Sequence, residues 1–247
     1  MSDWARLKLG RKSPTLRQRA NTLPLGRYIK QPLPAAPASV DHAADAPIGL
    51  WGNDAYGNCT FAGLANADAI SSKIEGRPCA MTRDAVIKAY LDFTDGQDVG
   101  AVETLVLAAA RTLGFSLGGP SRTRLAAWVS VPVANTAARS SLIAIFGSLY
   151  LGVSLPITAQ RQTTWTGPPD LRGDNQPGSW GGHCLLEAGY DDTHRKLVTW
   201  GAIKRCDEMW IRAYCDEAYV LLDEQRAEMV GVDWAALVAD LQNVPSS

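Results

Sequence analysis

Apolar positions along this chain keep a helical spacing in the first half and run like strands in the second. The segment from Cys59 to about Ile74 is rich in alanine, offers Phe61, Leu64 and Ala65 for burial, and meets no proline before Pro78. That pattern predicts a core helix. Its start is marked by a cluster of turn formers, Gly52 to Gly57, followed by Asn58 as N-cap. A second helix is predicted after Thr82, where Val86, Ile87, Tyr90 and Leu91 recur at helical spacing. A third is expected from about Val102 to Leu113, with Gly114 where a C-cap glycine sits, and a fourth from about Ala137 to Phe146, stopped by Gly147. Then the period changes. Leu149 to Leu155 reads as a buried strand halted by Pro156, and a long loop covers about 157–182. His183 to Tyr190 reads as a strand, Asp191 to His194 as a hairpin turn, and Lys196 to Trp200 as the returning strand. Ala218 to Leu222 is a further strand, and Trp234, Leu237, Val238 and Leu241 share one face of a last helix. Helices followed by strands make an α+β pattern of two lobes.

Ahead of this body, six prolines punctuate residues 14–47, which favours extended chain. Residues 1–30 hold eight of the 24 Lys and Arg but one of the 25 acids, so a basic arm precedes a net acidic body. The division expected is an arm over 1–48 and a folded domain over 49–247. The arm can wrap the body, plug a cleft or stay mobile. With 247 residues, 46% hydrophobic and 20% charged, the chain is long enough to bury a sizeable core. A net charge of −1 gives no reason to expect nucleic acid or an anionic membrane as partner. No apolar stretch reaches the length of a membrane span, and no apolar region follows the basic N-terminus as in a secretory signal, so a cytoplasmic location is expected. Five irregularly spaced cysteines without a CxxC pair read as reduced thiols, and with three histidines no structural zinc site, metal or cofactor is expected.

Two residues carry candidate chemistry. Cys59 falls at the first turn of its helix, where unpaired amides and the helix dipole favour a thiolate. The ordinary alternative is a small buried hydrophobe, which most free cysteines are. His183 opens an apolar strand behind Gly181 and Gly182, glycines that admit close approach of another backbone or a substrate. Its ordinary alternative is a histidine satisfied by backbone carbonyls. His42, in the proline-rich arm, and His194, in a turn, are poorer candidates. Cys184 points to the opposite face of the strand from His183 and reads as core. A thiol on a helix N-terminus and an imidazole on a distant strand are the two halves of a nucleophile–base pair.

Asn53-Asp54-Ala55-Tyr56-Gly57-Asn58-Cys59 resembles the segment around the nucleophile of papain-like cysteine peptidases, where an amide residue lies six positions and a glycine two positions before the cysteine. Gly182 to Asp191 resembles that family's histidine strand, with Gly189-Tyr190 following at the family's spacing, and Val198-Thr199-Trp200-Gly201 resembles its Asn-Ser-Trp-Gly strand. The order of the two residues and their separation of 124 positions also fit. The likeness lies in three short blocks and is closer to a bacterial and phage branch than to the plant and lysosomal enzymes. It implies a papain-like two-lobed α+β fold, with the nucleophile helix in a helical lobe, an antiparallel lobe opposite and a cleft between. It implies acyl transfer by Cys59, with His183 as acid and base, the Asn53 side chain and Cys59 amide at the oxyanion, and a peptide or protein as substrate. One departure stands out. Aligning on Trp200 puts Val198 where the family has the asparagine that orients the histidine, and valine accepts no hydrogen bond. Thr199 reaches that place if the hairpin is one residue shorter, and Glu187, Asp191 and Asp207 are acids that can serve. Trp200 fits an aromatic wall over the pair or plain core packing, and Trp165 and Trp180 can line a pocket or fold back. The competing readings are a peptidase or amidase, a papain-like fold retained for binding or assembly, and another thiol acyl transferase such as a transglutaminase-like enzyme or a peptidoglycan-peptide hydrolase.

Overall fold

In a computed structural model of the chain, residues 4–119 and 122–244 are described. The ends of the expected arm and body, residues 1–3 and 245–247, lie outside them. The helical lobe is built on α2 (Cys59–Glu75), α3 (Arg83–Phe93) and α4 (Glu103–Thr112). Phe61 ties these together, with its ring centroid 5.7 Å from Tyr90, 5.6 Å from Phe93 and 4.8 Å from Phe115. Burying one such side chain is worth about 1.5–3 kcal/mol. The helix ends follow the sequence signals. Thr82 caps α3 by accepting from the Ala85 amide, and Gly76 closes α2 at φ 65°. Asn58 occupies the N-cap of α2 as expected but makes no capping hydrogen bond. Its side chain donates instead to the Trp51 carbonyl, tying the turn to the helix.

The second lobe is a mixed-order antiparallel sheet. Its strands are β4 (Ala127–Ser130), β5 (Leu149–Leu155), β6 (Gly181–Tyr190), β7 (Arg195–Thr199), β8 (Ala202–Cys206) and β9 (Cys215–Leu222), in the order β4-β9-β5-β6-β7-β8. Helix α5 (Thr136–Phe146) packs on β5, β6 and β9. Sequence periodicity did not reveal β4, β8 or α6 (Glu208–Tyr214). The β8 segment alternates, burying Lys204 and Cys206 while Ile203 and Arg205 face out, so no apolar run marks it. Inside the sheet Glu187 sits between the buried guanidinium groups of Arg139 and Arg195.

The N-terminal segment is part of this body. Leu23, Leu25, Tyr28 and Ala43 join the core. β2 (Val40–Asp41) extends the edge of β6 beyond the point where β5 stops, and the His42 amide donates to the Ala188 carbonyl. Arg27 and Lys30 pair with Asp240 and Asp233, near and within helix α8 (Trp234–Leu241) and its cap. The basic arm therefore lies back on acidic groups of the body. Further upstream, β1 (Arg11–Lys12) runs parallel to β3 (Ala101–Val102), which immediately precedes α4. No described helix is long and apolar enough to cross a membrane.

Candidate functional site

Cys59 is the first residue of α2, and His183 is the third of β6. These two elements pack together. The amide N–H of Cys184, the residue after His183, is turned toward the Cys59 sulfur. The two candidates thus lie on neighbouring elements, and no hydrogen bond joins the Cys59 sulfur to the His183 ring. His183 is buried, and its ring is held from two sides. Nε2 lies 2.8 Å from the Thr199 hydroxyl oxygen. The Trp200 indole stacks on it at 4.2 Å between centroids and 19° between planes. Nδ1 is buried with no hydrogen-bond partner.

The question of which residue orients His183 has a geometric answer. Val198 pairs with Leu186 and shares the face of Cys184 and Leu186. Thr199, one residue on, points to the His183 face. A β-bulge between Glu187 and Gly189 sets this register. The three acids are engaged elsewhere. Glu187 holds Arg139 and Arg195. Asp191 takes the amides of Thr193 and His194 in the hairpin turn. Asp207 caps α6 through the Trp210 amide. Trp200 reaches the imidazole because Trp200-Gly201 forms the two-residue turn between β7 and β8, at φ 47° and 69°. Positive φ at both positions matches the twist of a tight hairpin. For a bulky tryptophan it is a strained conformation, the kind that persists where the surroundings enforce it. Trp180 packs on Trp200 at 5.5 Å, whereas Trp165 folds inward and stacks on Trp210. Cys184 is buried, as expected of core.

Asn53 is buried in the turn before α2, and its side-chain amide donates to two carbonyls, Tyr56 at 3.0 Å and Lys8 at 3.2 Å. The first fixes its own turn. The second reaches into the N-terminal segment, which lies across the site. Lys8 also donates its amide to the Asn53 carbonyl, and its carbonyl accepts from Trp200 Nε1 at 3.1 Å. The Gly10 amide N–H is turned toward the Cys59 sulfur. The Gly10 carbonyl accepts from the Ala101 amide at 2.8 Å. The passage is narrow. A Cβ on Gly10 would lie 2.6 Å from Gly57 Cα, and one on Gly57 would lie 2.9 Å from the Leu9 carbonyl oxygen. Asp98 and Tyr90 hold this frame. Asp98 Oδ1 accepts from the Gly57 amide and the Tyr90 hydroxyl, and that hydroxyl accepts from the Gly100 amide.

Covering the site changes its electrostatics. Cys59 is 1% exposed, and burial pushes its thiol up to about 12, although the amides of Cys184 and Gly10 favour the thiolate. Burial, aided by the Arg11 charge, brings the His183 imidazole down to about 3. The lowered thiol pKa expected of a helix N-terminus is therefore overturned in this closed arrangement. Removing a charge from water outweighs the amides and the dipole.

Comparison with known proteins places the fold. No family model matches the chain, and no curated relative matches it. Solved structures do. Xylellain, a cysteine protease from Xylella fastidiosa, superposes at a TM-score of 0.66 with 15% identity, over 87% of this chain and 96% of that one. The Amb a 11 cysteine protease, a ragweed pollen allergen, in its proform, gives 0.60 and 12% over 82% and 71%. Digestive procathepsin L 3 of Tenebrio molitor larval midgut gives 0.57 and 12% over 89% and 77%. The architecture is the papain-like two-lobed fold.

Proposed function

We propose that this papain-like chain is a thiol-dependent peptidase or amidase, held closed by its own N-terminal segment. Cys59 attacks the carbonyl carbon of the scissile bond. His183 Nδ1 takes the thiol proton and delivers it to the leaving amine. The sulfur–carbon bond forms as the carbon–nitrogen bond breaks, and water then releases the acid and restores the thiol. The Asn53 amide and the Cys59 backbone N–H stabilise the oxyanion. One observation carries this reading. His183 keeps a buried Nδ1 without a partner while Nε2 is fixed by Thr199 and the ring by Trp200. A buried ring nitrogen without a partner is free to accept the thiol proton, the role this reading gives it.

The segment across the site resists cleavage for a geometric reason. It turns an amide N–H, that of Gly10, toward the sulfur, whereas attack needs a carbonyl carbon. The carbonyl that takes Asn53 belongs to Lys8, two residues away. Burial pushes the Cys59 thiol up to about 12 in the closed form, which disfavours the thiolate that attack requires. Two of the similar structures are described as a proform and a procathepsin, which accords with this reading.

The test opens the site within the full chain. Gly10→Val adds carbon where Gly57 leaves no room. In the native chain, iodoacetamide at mildly acid pH should label the partly exposed Cys79 before Cys59, read by mass spectrometry. In the Gly10→Val protein, Cys59 labelling should rise about 100-fold or more. The rise should vanish with His183→Ala, and hydrolysis of a denatured protein substrate should require Cys59. The other reading, a fold used for binding or assembly, is favoured by the closed cleft. It gains if the opened protein labels Cys59 no faster than the other thiols and cleaves nothing.

A further inference from the structure

Arg11 follows Gly10, and its side chain leaves the covering segment for a pocket beside Cys59. Its guanidinium is bonded by Nη2 to Asp216 and to Glu217. Nη1 lies 3.3 Å from Asp216 Oδ2, and Nε lies 3.6 Å from Glu103 Oε2. The arginine and Glu103 side chains are wholly buried, and Glu217 is nearly so. Every wall comes from the body of the protein. Glu103 begins α4, while Asp216 and Glu217 lie on β9. Gly152 of β5 leaves the space the guanidinium fills, because a Cβ there would be 2.6 Å from Arg11 Cζ and from Glu103 Oε2. The acids are themselves positioned. Tyr219 donates its hydroxyl to Glu217 at 2.6 Å, and Ser154 donates to Asp216 at 2.8 Å. The Cys184 thiol lies beside the Glu103 carboxyl, which has no other side-chain partner than the Arg11 Nε at 3.6 Å.

We propose that this is a specificity pocket for an arginine side chain of a peptide substrate, which Arg11 fills in the closed form. The proposal rests on the peptidase reading for its substrate and names which peptides the opened cleft prefers. The reasoning is electrostatic and steric. Pinning one arginine needs one carboxylate, whereas Asp216 and Glu217 both hold this guanidinium and the Glu103 carboxyl stands beside it. With the segment lifted they would line a pocket opening next to the sulfur, without the cation they now enclose. Asp216 and Glu217 face the planar fork of a guanidinium, which suits it better than the point charge of an ammonium. The backbone of such a ligand has a place as well, since the Ala101 amide that now binds the Gly10 carbonyl would be free. A glycine fits beside the arginine because Gly57 leaves no room for a side chain at Gly10.

The experiment uses the full chain opened by Gly10→Val, with Arg11→Ala as a second opened form should the first fold poorly. Binding is read by thermal shift and fluorescence titration with acetyl-Arg-Gly-amide, against acetyl-citrulline-Gly-amide, its neutral isostere. Arginine should bind about 10-fold or more tightly than citrulline, and Glu217→Gln should remove most of that preference. Equal binding of the two peptides, or binding of neither, overturns the pocket. A second readout separates this result from the peptidase reading. Acyloxymethyl ketones built on acetyl-Arg-Gly and acetyl-citrulline-Gly alkylate a reactive thiol, the sulfur displacing the carboxylate to form a thioether. Faster labelling of Cys59 by the arginine probe supports the pocket, and equal rates overturn it while leaving the peptidase reading standing. Selective arginine binding with no labelling by either probe keeps the pocket and removes the peptidase.

Discussion

At the scale of single residues, the Thr199 hydroxyl lies beside the His183 ring where the family resemblance leads one to look for an asparagine. That hydroxyl is 2.8 Å from His183 Nε2, and Val198 faces the other way. A neutral hydrogen bond of this kind contributes about 0.5–1.5 kcal/mol. In the opened protein, Thr199→Val should therefore lower kcat/KM about 10-fold, with KM little changed, and Thr199→Asn should restore most of it. Steady-state kinetics on a single peptide would check this, and an unchanged kcat in the valine variant would remove Thr199 from the site. Asn53→Ala should cost more, about 100-fold or beyond, because the proposed mechanism gives its amide to the oxyanion. Cys59 and His183 stood out as candidates because glycines, a turn and a strand start surround them in order, and Asn53 entered through the resemblance. Thr199 could not be settled, since a bulge at Ala188 shifts the hairpin and bulges leave little trace in a hydrophobic pattern.

At the scale of elements, the first turn of α4 carries an unusual burden. Glu103 is fully buried, and burial raises its carboxyl to about 8, with Glu217 and Asp216 adding to the rise and Arg11 opposing it. Its ion pair with Arg11 would by itself lower that value, but at 3.6 Å it does not offset burial beside two further acids. The linkage then has a definite sign. A carboxyl whose folded pKa exceeds its unfolded value of 4.5 stabilises the fold at low pH, and that stability is lost as pH rises toward 8. His183 works in the opposite sense below 6.5, since its folded value is about 3. The clean window is pH 6.5 to 8. There the melting temperature of the native chain should fall with pH, and Glu103→Gln should flatten the slope. Parallel slopes for the two proteins would refute the assignment. Most elements were legible from pattern: α2 to α5, β5, β6 and β9 stand where apolar spacing and capping residues put them. β8 and α6 were not, because their buried side chains include Lys204 and a short cap-driven turn that only neighbours stabilise.

At the scale of the whole molecule, the N-terminal 48 residues do two things at different places. Residues 8–12 cover the site, while Leu23, Leu25, Tyr28 and β2 complete the core and sheet. Each buried apolar side chain is worth about 1.5–3 kcal/mol, so losing three removes a large share of a domain's usual 5–15 kcal/mol. Deleting residues 1–13 should leave a folded protein with a reactive Cys59. Deleting residues 1–48 should lower the melting temperature by more than about 10 °C or leave the protein insoluble. Circular dichroism melts of the two truncations would distinguish these outcomes, and equal stability would show that the segment is only a cover.

The chain's own order of residues determined its α+β class, the helix that begins at Cys59 and the strand that begins beside His183, because local spacing, turn formers and glycines act over a few residues. Tertiary structure decided the rest: which hydroxyl steadies the imidazole, that the basic arm threads the cleft, and that an arginine from it meets three acids. These depend on register, on glycines that make room for distant backbone, and on how far burial shifts a charge, none of which is a property of neighbouring residues alone.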